Sequence, residues 1–527
     1  MTRLPITRSR ATEPKVFFCF WLYAAVLLLF LSPDSYFHDL YDRCDSAWFF
    51  AAGKWWMHGL RPYIDFSDSK GPLLWLIYGV GWIFSHHDYT GVWWLSTLAY
   101  AGTFYFTYRA AHVLVPRRGA VMCSLLMTLA FFLTPFHREI RAENWCHFFL
   151  SLSLWKTCAV CFGHNPEQRD VRQACYWLGV STGALLLIKF NIALMQGIMP
   201  LLAAWTIWRE RRGFFKGLAL WTAGALTVIL PITLALATQG CFTAMIEEYF
   251  LATAGFYSND IVKQAAPLEG ILGDLLHSRL FIAYVLLVMA GIALATWRLP
   301  RHKWVPATGA AWMAMALLPS ALFYYHFSAL AFVFFPLALS IAAWMMRIHH
   351  FPVLKTRWLI ALAVGCVIAD YAINHSSLDS SIVWNNDKAK EHVFYATVNV
   401  LSQFDHPTIS YSQVEQGAET VVDALPAIKY WCIPAHKQPE GRADLIQAIN
   451  CHEVDVVMTH VLPTDDDHGV TAALLHNGYH KCFSLDYYGK PWAVWTQRPV
   501  PHIQLDYEAS WQDVLLKRRP RFCRNQS

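Results

Sequence analysis

The charged side chains that could carry chemistry cluster between Asp45 and Pro72, directly after the first long apolar segment. A carboxylate such as that of Asp45 can act as a general base, and arginine or lysine side chains can hold a phosphate group. Charges of both signs beside a membrane are costly unless they are used, so this stretch predicts chemistry at a membrane surface. Further charged members of the cluster include Arg61, Asp65, Asp68 and Lys70.

A second short polar segment, His137 to Trp145, lies between two hydrophobic stretches. Its arginines either clamp a phosphate or only pair with neighbouring glutamates. We favour a functional interpretation, carried mainly by Arg141 and Glu143.

Two later groups of residues are candidates for the same face of the membrane. Lys189 ends an apolar run, where its side chain either reaches lipid headgroups or binds a lipid phosphate. Tyr325 and His326 begin a later helix, and residues of this kind serve either in an interfacial aromatic belt or as ligands.

Several residues of these segments also have interpretations without chemistry. Asp45 could simply cap the helix predicted for Ser46 to His58. The tryptophans of that helix predict an anchor in the membrane interface, and the adjacent acids further along the chain predict a solvated face. These residues are Trp48, Trp55 and Trp56, and Glu247 and Glu248.

Composition indicates the elements that must position these residues. Of the 527 residues, 56% are hydrophobic and 15% charged, which excludes a single soluble globule and favours a polytopic membrane protein. Apolar runs long enough to span a bilayer recur to give about eleven helices. They are Val16–Ser32, Gly91–Ala111, Ala120–Pro135, Trp145–Gly163, Trp177–Lys189, Ile192–Trp208, Leu218–Ala237, Phe281–Trp297, Val305–Phe323, Phe327–Met346 and Leu359–Tyr371.

The basic clusters of the alternate loops predict the orientation of the chain. They all fall on one side when the N-terminus is cytoplasmic, and the acid-rich loops then face outward. The segment Pro72 to Phe84 is too short to cross comfortably, so we expect it to lie in the interface. The net charge of +5 is accounted for by the basic loops and requires no nucleic-acid partner.

A change to mixed composition after Tyr371 predicts a second domain. We expect residues 1–372 to form the transmembrane domain, with functional outer loops at 33–91 and 137–144, and residues 373–527 to form an outer α/β domain. Its cysteines, Cys432, Cys451 and Cys482, could form a disulfide whose pairing is open. The expected strands are Thr408–Ser412, Ile428–Cys432, Val454–His460 and Trp492–Gln497, and the expected helices are Ala443–Asn450 and Gly469–Asn477.

Together these motifs resemble the GT-C class of membrane glycosyltransferases, in particular the family of protein O-mannosyltransferases and bacterial lipid A aminoarabinose transferases. The order and sidedness of the motifs carry the resemblance more than any one of them does. The matching residues are Asp45; Gly59 with Pro62 and Tyr63; Lys70 before Gly71 and Pro72; Glu143; Gly179, Gly183 and Lys189; and Tyr325, His326 and Pro336.

This resemblance implies a sugar donor linked to polyprenyl phosphate and transfer with inversion to a lipid, glycan or protein acceptor. It places the protein in the bacterial inner membrane, with the C-terminal domain periplasmic. Asp45 and Glu143 would be the catalytic acids, and the phosphate would be held by Lys70, Arg141, Arg61 and Lys189. The remaining candidates for the substrate pocket are Tyr63, Asp65, Asp68, Tyr325 and His326.

Two departures from the family pattern bear on the substrate and on a metal. Ser46 stands where the O-mannosyl branch has Glu, and Ser69 stands where the aminoarabinose branch has Glu. The second change leaves a divalent metal ion open, with Asp68 or His326 as substitutes for the missing ligand. A transporter of lipid-linked saccharides, or a non-catalytic factor of cell-envelope assembly, is the alternative function.

Overall fold

The apolar runs of the amino-terminal part form helices in the computed structural model of the protein. The structure describes residues 13–32, 44–86, 88–132, 141–163, 167–255, 286, 290, 293, 331–332, 334–347, 356–377, 396–412, 417–420, 422–432, 438–460, 469–487 and 490–500. The helices are α1 (Glu13–Leu31), α2 (Cys44–Met57), α3 (Pro72–Phe84), α4 (Thr90–His112), α5 (Arg117–Phe132), α6 (Ala142–Phe162), α7 (Gln168–Ile188), α8 (Phe190–Gln196), α9 (Ile198–Arg209), α10 (Phe214–Thr238), α11 (Phe242–Met245), which continues as a π-helix over Ile246–Ala252, α12 (Phe335–Arg347) and α13 (Thr356–Ser377).

Membrane-spanning character is clearest in the middle of the chain. Among the described residues, 4 helical segments are long and apolar enough to cross a bilayer: α6, α7, α8 together with α9, and α10. The other predicted spans that fall within the described residues are also helical. The predicted spans 281–297 and 305–323 lie almost wholly outside the described residues. The total of about eleven spans and the cytoplasmic N-terminus therefore stay predictions.

α3 is the short apolar helix expected between the first two long spans. Pro72 occupies its first turn, where a missing N–H costs nothing. Its 13 residues rise only about 20 Å, less than the ~30 Å of a bilayer core. The helix itself is confirmed, and its orientation in the interface stays a prediction.

α7 and α10 pack closely through small residues. A Cβ atom on Gly179 would lie 1.8 Å from the backbone oxygen of Trp221, and one on Gly183 would lie 2.6 Å from that of Ala225. The two glycines matched to the family pattern therefore allow backbone contact between these helices, which fixes the direction in which α7 reaches Lys189.

The carboxy-terminal part forms a mixed sheet with helices, as its composition predicts. Its strand order is β2-β1-β3-β5-β4, parallel among the first three and antiparallel among the rest. The elements are β1 (Thr408–Ser412), β2 (Leu425–Pro426), α14 (Gln438–Asn450), β3 (Val456–His460), α15 (Val470–His476), β4 (His480–Tyr487) and β5 (Lys490–Thr496).

Two expectations about this part are wrong, and one strand was missed. Ile428–Cys432 is a turn segment rather than a strand, although its apolar residues are buried as a strand's would be. The strand β4 was not expected, because its polar positions hide the alternation that marks a strand. Cys432, Cys451 and Cys482 are free thiols rather than a disulfide and a single cysteine.

This sheet domain docks directly on α2. The Trp55 indole N–H donates to the backbone oxygen of Ala424 at 2.8 Å, and the Trp55 and Trp431 rings meet edge to face at 4.8 Å. The Lys54 ammonium lies 2.8 Å from the Asp423 carboxylate. Trp55 is fully buried, so the expectation that it anchors α2 in lipid is wrong; its partner is the carboxy-terminal sheet domain.

Candidate functional site

The first pair of site residues joins α2 to α6. Asp45 lies in the first turn of α2, where the helix dipole favours a negative charge. Its Oδ2 lies 3.8 Å from Nε of Arg141, the residue that caps α6. The Arg141 backbone N–H donates to Oδ1 of Asn144, and Asn144 in turn donates to the Tyr100 hydroxyl. Packing from α4 therefore fixes the backbone from which the Arg141 side chain extends.

The second pair joins α6 to the break between α7 and α8. Lys189 has an extended backbone between the two helices and donates a hydrogen bond from Nζ to Oε1 of Glu143. Both side chains are buried, so each charge is compensated by the other. The ammonium group of Lys189, at the end of this apolar run, thus lies beside the first turn of α6.

The third pair lies in the loop before α3. The Lys70 ammonium is 3.6 Å from Oδ2 of Asp68 and lies over the Phe49 ring at 5.5 Å from its centroid. The Ser69 backbone N–H donates to the other Asp68 oxygen at 2.6 Å. Phe49 lies one turn after Asp45 on α2, so Asp45 and Lys70 border the same face of that helix.

Backbone contacts then hold the second and third pairs together. The Gly71 N–H donates to the backbone oxygen of Ile188 at 3.1 Å, which joins the residue after Lys70 to the residue before Lys189. The Tyr63 hydroxyl donates to the Lys70 carbonyl at 2.9 Å, and Tyr63 has a left-handed backbone with φ of 66°. Tyr63 therefore supports the loop instead of presenting its hydroxyl to solvent.

Arg61 and Asp65 form a pair of their own at the rim. Their side chains are 2.9 Å apart, and the Arg61 backbone N–H also donates to Asp65. Partial burial raises the pKa of Asp65, but the hydrogen bonds and charge of Arg61 outweigh that effect and lower it. The remaining candidates, Tyr325 and His326, lie outside the described residues.

Three acids of the site differ in accessibility, and that difference separates their tasks. The side chain of Asp45 is 27% exposed, against 3% for Glu143 and 4% for Asp68. A buried carboxylate bound to a lysine orients that lysine, whereas the more exposed carboxylate of Asp45 can meet a substrate hydroxyl.

The described part of the chain offers no group of three or more His, Cys, Asp or Glu side chains that could hold a metal ion. The described acids of the site each contact a cationic side chain instead. The other residue named for a metal, His326, lies outside the described residues, so the divalent ion stays a prediction.

Contacts that the sequence did not predict connect the site to the carboxy-terminal sheet domain. Glu248, expected on a solvated face, is buried and accepts hydrogen bonds from Lys429 at 2.6 Å and Tyr430 at 2.8 Å. The Lys429 backbone oxygen accepts the Ser67 N–H at 2.8 Å. Such pairs join residues far apart in the chain, and no local pattern in the sequence marks them.

Comparison with solved structures identifies the fold. The structure of ArnT from Cupriavidus metallidurans bound to undecaprenyl phosphate matches with a TM-score of 0.51 and 12% identity, covering 93% of this chain and 98% of that one. The apo oligosaccharyltransferase of Archaeoglobus fulgidus matches with a TM-score of 0.50 and 14% identity, covering 94% of this chain and 75% of that one.

Both of these proteins are GT-C glycosyltransferases, so the expected GT-C fold is confirmed over most of the chain. No protein-family model and no curated protein sequence matches.

Proposed function

We propose that this chain, which has the GT-C fold, is an integral membrane glycosyltransferase that uses a polyprenyl-phosphate-linked sugar at the outer face of the bacterial cytoplasmic membrane. One observation carries the proposal: the three acid–base pairs Asp45–Arg141, Glu143–Lys189 and Asp68–Lys70 come from separate segments and meet around α2, α6 and the end of α7. Such a concentration of paired charge at helix ends suits a phosphate ligand and a reacting hydroxyl.

Lys70, Arg141 and Lys189 hold the donor phosphate. An ammonium group has three donors and a guanidinium has five, so each can keep its carboxylate partner and still donate to phosphate oxygens. Cations fixed before the reaction stabilise the charge that develops on the leaving phosphate, at no cost of reorganisation. Arg61 is a weaker candidate, because its side chain is 53% exposed at the rim and pairs with Asp65 apart from the other three ion pairs.

Asp45 acts as the general base. Its carboxylate takes the proton of the acceptor hydroxyl, whose oxygen attacks the anomeric carbon. The bond from that carbon to the phosphate oxygen breaks, and the electron pair leaves with polyprenyl phosphate. One displacement inverts the anomeric centre. General-base assistance of this kind contributes about 10²–10⁴-fold in rate.

The buried acids have supporting roles in this scheme. Glu143 orients Lys189, and Asp68 orients Lys70, because each is almost wholly inaccessible and bound to its lysine. Tyr63 fixes the carbonyl of Lys70, and Asp65 is a further candidate for contact with the sugar; the candidates Tyr325 and His326 lie outside the described residues. The transferred sugar is a hexose or a pentose, and the acceptor is a lipid, a glycan or a protein of the cell envelope.

A turnover assay on the purified protein tests the function. The protein in detergent is given a panel of polyprenyl-phosphate sugars and a cell-envelope extract, and release of free polyprenyl phosphate is measured. We expect release from at least one donor, dependent on the extract. Binding of the donors without release from any of them would contradict the proposal and favour a transporter or an assembly factor.

A further inference from the structure

The break between α7 and α8 leaves backbone groups without helical partners. Lys189 has φ of −156° and ψ of 98°, which interrupts the helical ladder at this residue. The last carbonyls of α7 and the first N–H groups of α8 must then find other partners, since buried backbone polar groups are costly when unpaired.

Tyr249 bridges this break with a single hydroxyl group. Its O–H donates to the Leu186 carbonyl at 2.8 Å and accepts from the Phe190 N–H at 2.9 Å. One side chain thus ties the last turn of α7 to the first residue of α8, on either side of Lys189. The Tyr249 ring is fully buried and packs edge to face on Phe190 at 5.6 Å.

The same ring also borders the loop that carries Lys70. A Cβ atom on Gly71 would lie 3.0 Å from Cζ of Tyr249, so the ring and the Gly71 backbone are in close contact. Tyr249 therefore contacts both segments from which the phosphate-binding lysines extend.

The segment that carries Tyr249 is itself held from outside the membrane domain. It is a π-helix, a rare form that is frequently found at functional sites. The neighbouring Glu248 binds Lys429 and Tyr430 of the outer domain. The position of the Tyr249 hydroxyl thus depends on the docked domain.

We propose that Tyr249 is a positioning residue for donor binding, which acts by fixing the α7–α8 break and hence the Lys189 ammonium. This inference rests on the proposed function, because it takes the phosphate of the lipid donor to be the ligand of Lys189. The Tyr249 hydroxyl already donates a hydrogen bond to one backbone group and accepts one from another. Tyr249 therefore acts through Lys189 and not on the sugar.

The test removes the hydroxyl and keeps the ring. We expect Tyr249→Phe to weaken binding of undecaprenyl phosphate about tenfold, or ~1.4 kcal/mol, and to raise KM for the donor with little change in kcat. Tyr176→Phe is the matched control. Tyr176 lies elsewhere on α7, and the substitution removes a hydroxyl that is hydrogen-bonded to Thr227 of α10. The control should bind as wild type does.

A double-mutant cycle separates positioning from a purely structural role. In the Glu143→Gln/Lys189→Met background, Tyr249→Phe should cause no further loss of undecaprenyl phosphate binding, because the group it positions is gone. An equal further loss in that background would overturn the inference. Unchanged binding in Tyr249→Phe alone would also overturn it and leave the proposed function standing, whereas no binding by wild type would overturn both.

Discussion

Glu143 and Lys189 are buried together at the end of α7, so their contribution to folding and to ligand binding must be separated. A buried ion pair adds little net stability, but removal of one partner leaves an uncompensated charge. For a site residue, loss of activity alone would therefore not distinguish a misfolded protein from a missing ligand.

We expect Lys189→Met to lower the free energy of unfolding by about 3–5 kcal/mol, because Glu143 remains buried and charged. The double variant Glu143→Gln/Lys189→Met should recover most of that loss of stability, but it should still bind polyprenyl phosphate more weakly than wild type, through Lys70 and Arg141 alone. Chemical denaturation and a lipid-binding assay measure the two quantities. Lys216→Met, which removes an exposed lysine of α10, is the control. Recovery of binding in the double variant would contradict the assigned role of Lys189.

At the scale of elements, the loop before α3 is held against the end of α7 through Gly71. A Cβ atom at this position would lie 2.1 Å from the Leu187 carbonyl oxygen and 2.5 Å from the carbonyl carbon. Backbone atoms cannot move aside as a flexible side chain can, so any larger residue must separate the two segments.

Gly71→Ala should therefore weaken donor binding strongly, at least as much as loss of one lysine, with a lower unfolding temperature. The physical reason is separation of Lys70 from Lys189. Gly365→Ala serves as the control, since a Cβ atom on that helical glycine meets nothing within 4 Å. Lipid binding and thermal unfolding are the measurements, and wild-type binding by Gly71→Ala would show that the contact does not matter.

The sequence predicted most of these elements, because hydropathy and charge are local properties. The long described helices overlap the predicted apolar runs, and β1 has its predicted bounds, whereas α11 and the π-helix that follows it lie in a segment predicted as a loop. Trp55 was misassigned, since a hydrophobic face looks the same whether lipid or a protein domain covers it. Glu248 and Tyr249 were missed as site neighbours because their partners are remote in sequence.

In the molecule as a whole, the carboxy-terminal sheet domain and the helical domain share a buried interface at α2. Lys54 donates to the backbone oxygens of Glu419 and Val422, and a Cβ atom on Gly417 would lie 2.4 Å from the Ala47 side chain. α2 also carries Asp45, so docking of the sheet domain helps to set the position of the proposed base.

This interface contains a titratable group, which gives stability a pH dependence. Burial raises the pKa of Glu419 from its ordinary 4.5 to about 7, although hydrogen bonding from Tyr411 acts in the opposite direction. Between those values the folded protein keeps a proton that the unfolded chain has lost, so this group makes stability fall as pH rises from 4.5 to about 7.

We expect the stability of Glu419→Gln, relative to wild type, to be greater at about pH 8 than at about pH 5. Thermal unfolding of the full chain in detergent at the two pH values measures this difference. Glu453→Gln, at an exposed position of the same domain, should leave the wild-type pH dependence unchanged. An equal effect of Glu419→Gln on stability at both pH values would contradict the raised pKa of Glu419 in the folded protein.

Transfer of a sugar with Asp45 as the base is tested by comparison of wild type, Asp45→Asn and Asp170→Asn. Asp170 lies in the first turn of α7, about 30 Å along the helix from Lys189, and serves as the control. Binding of the lipid donor and release of free polyprenyl phosphate are measured on each.

The account predicts that all three proteins bind the donor, that wild type and Asp170→Asn release polyprenyl phosphate, and that Asp45→Asn is slower by about 10²-fold or more. Release by Asp45→Asn at the wild-type rate would contradict the assignment of Asp45 as the base. Absence of release by wild type would contradict the function itself.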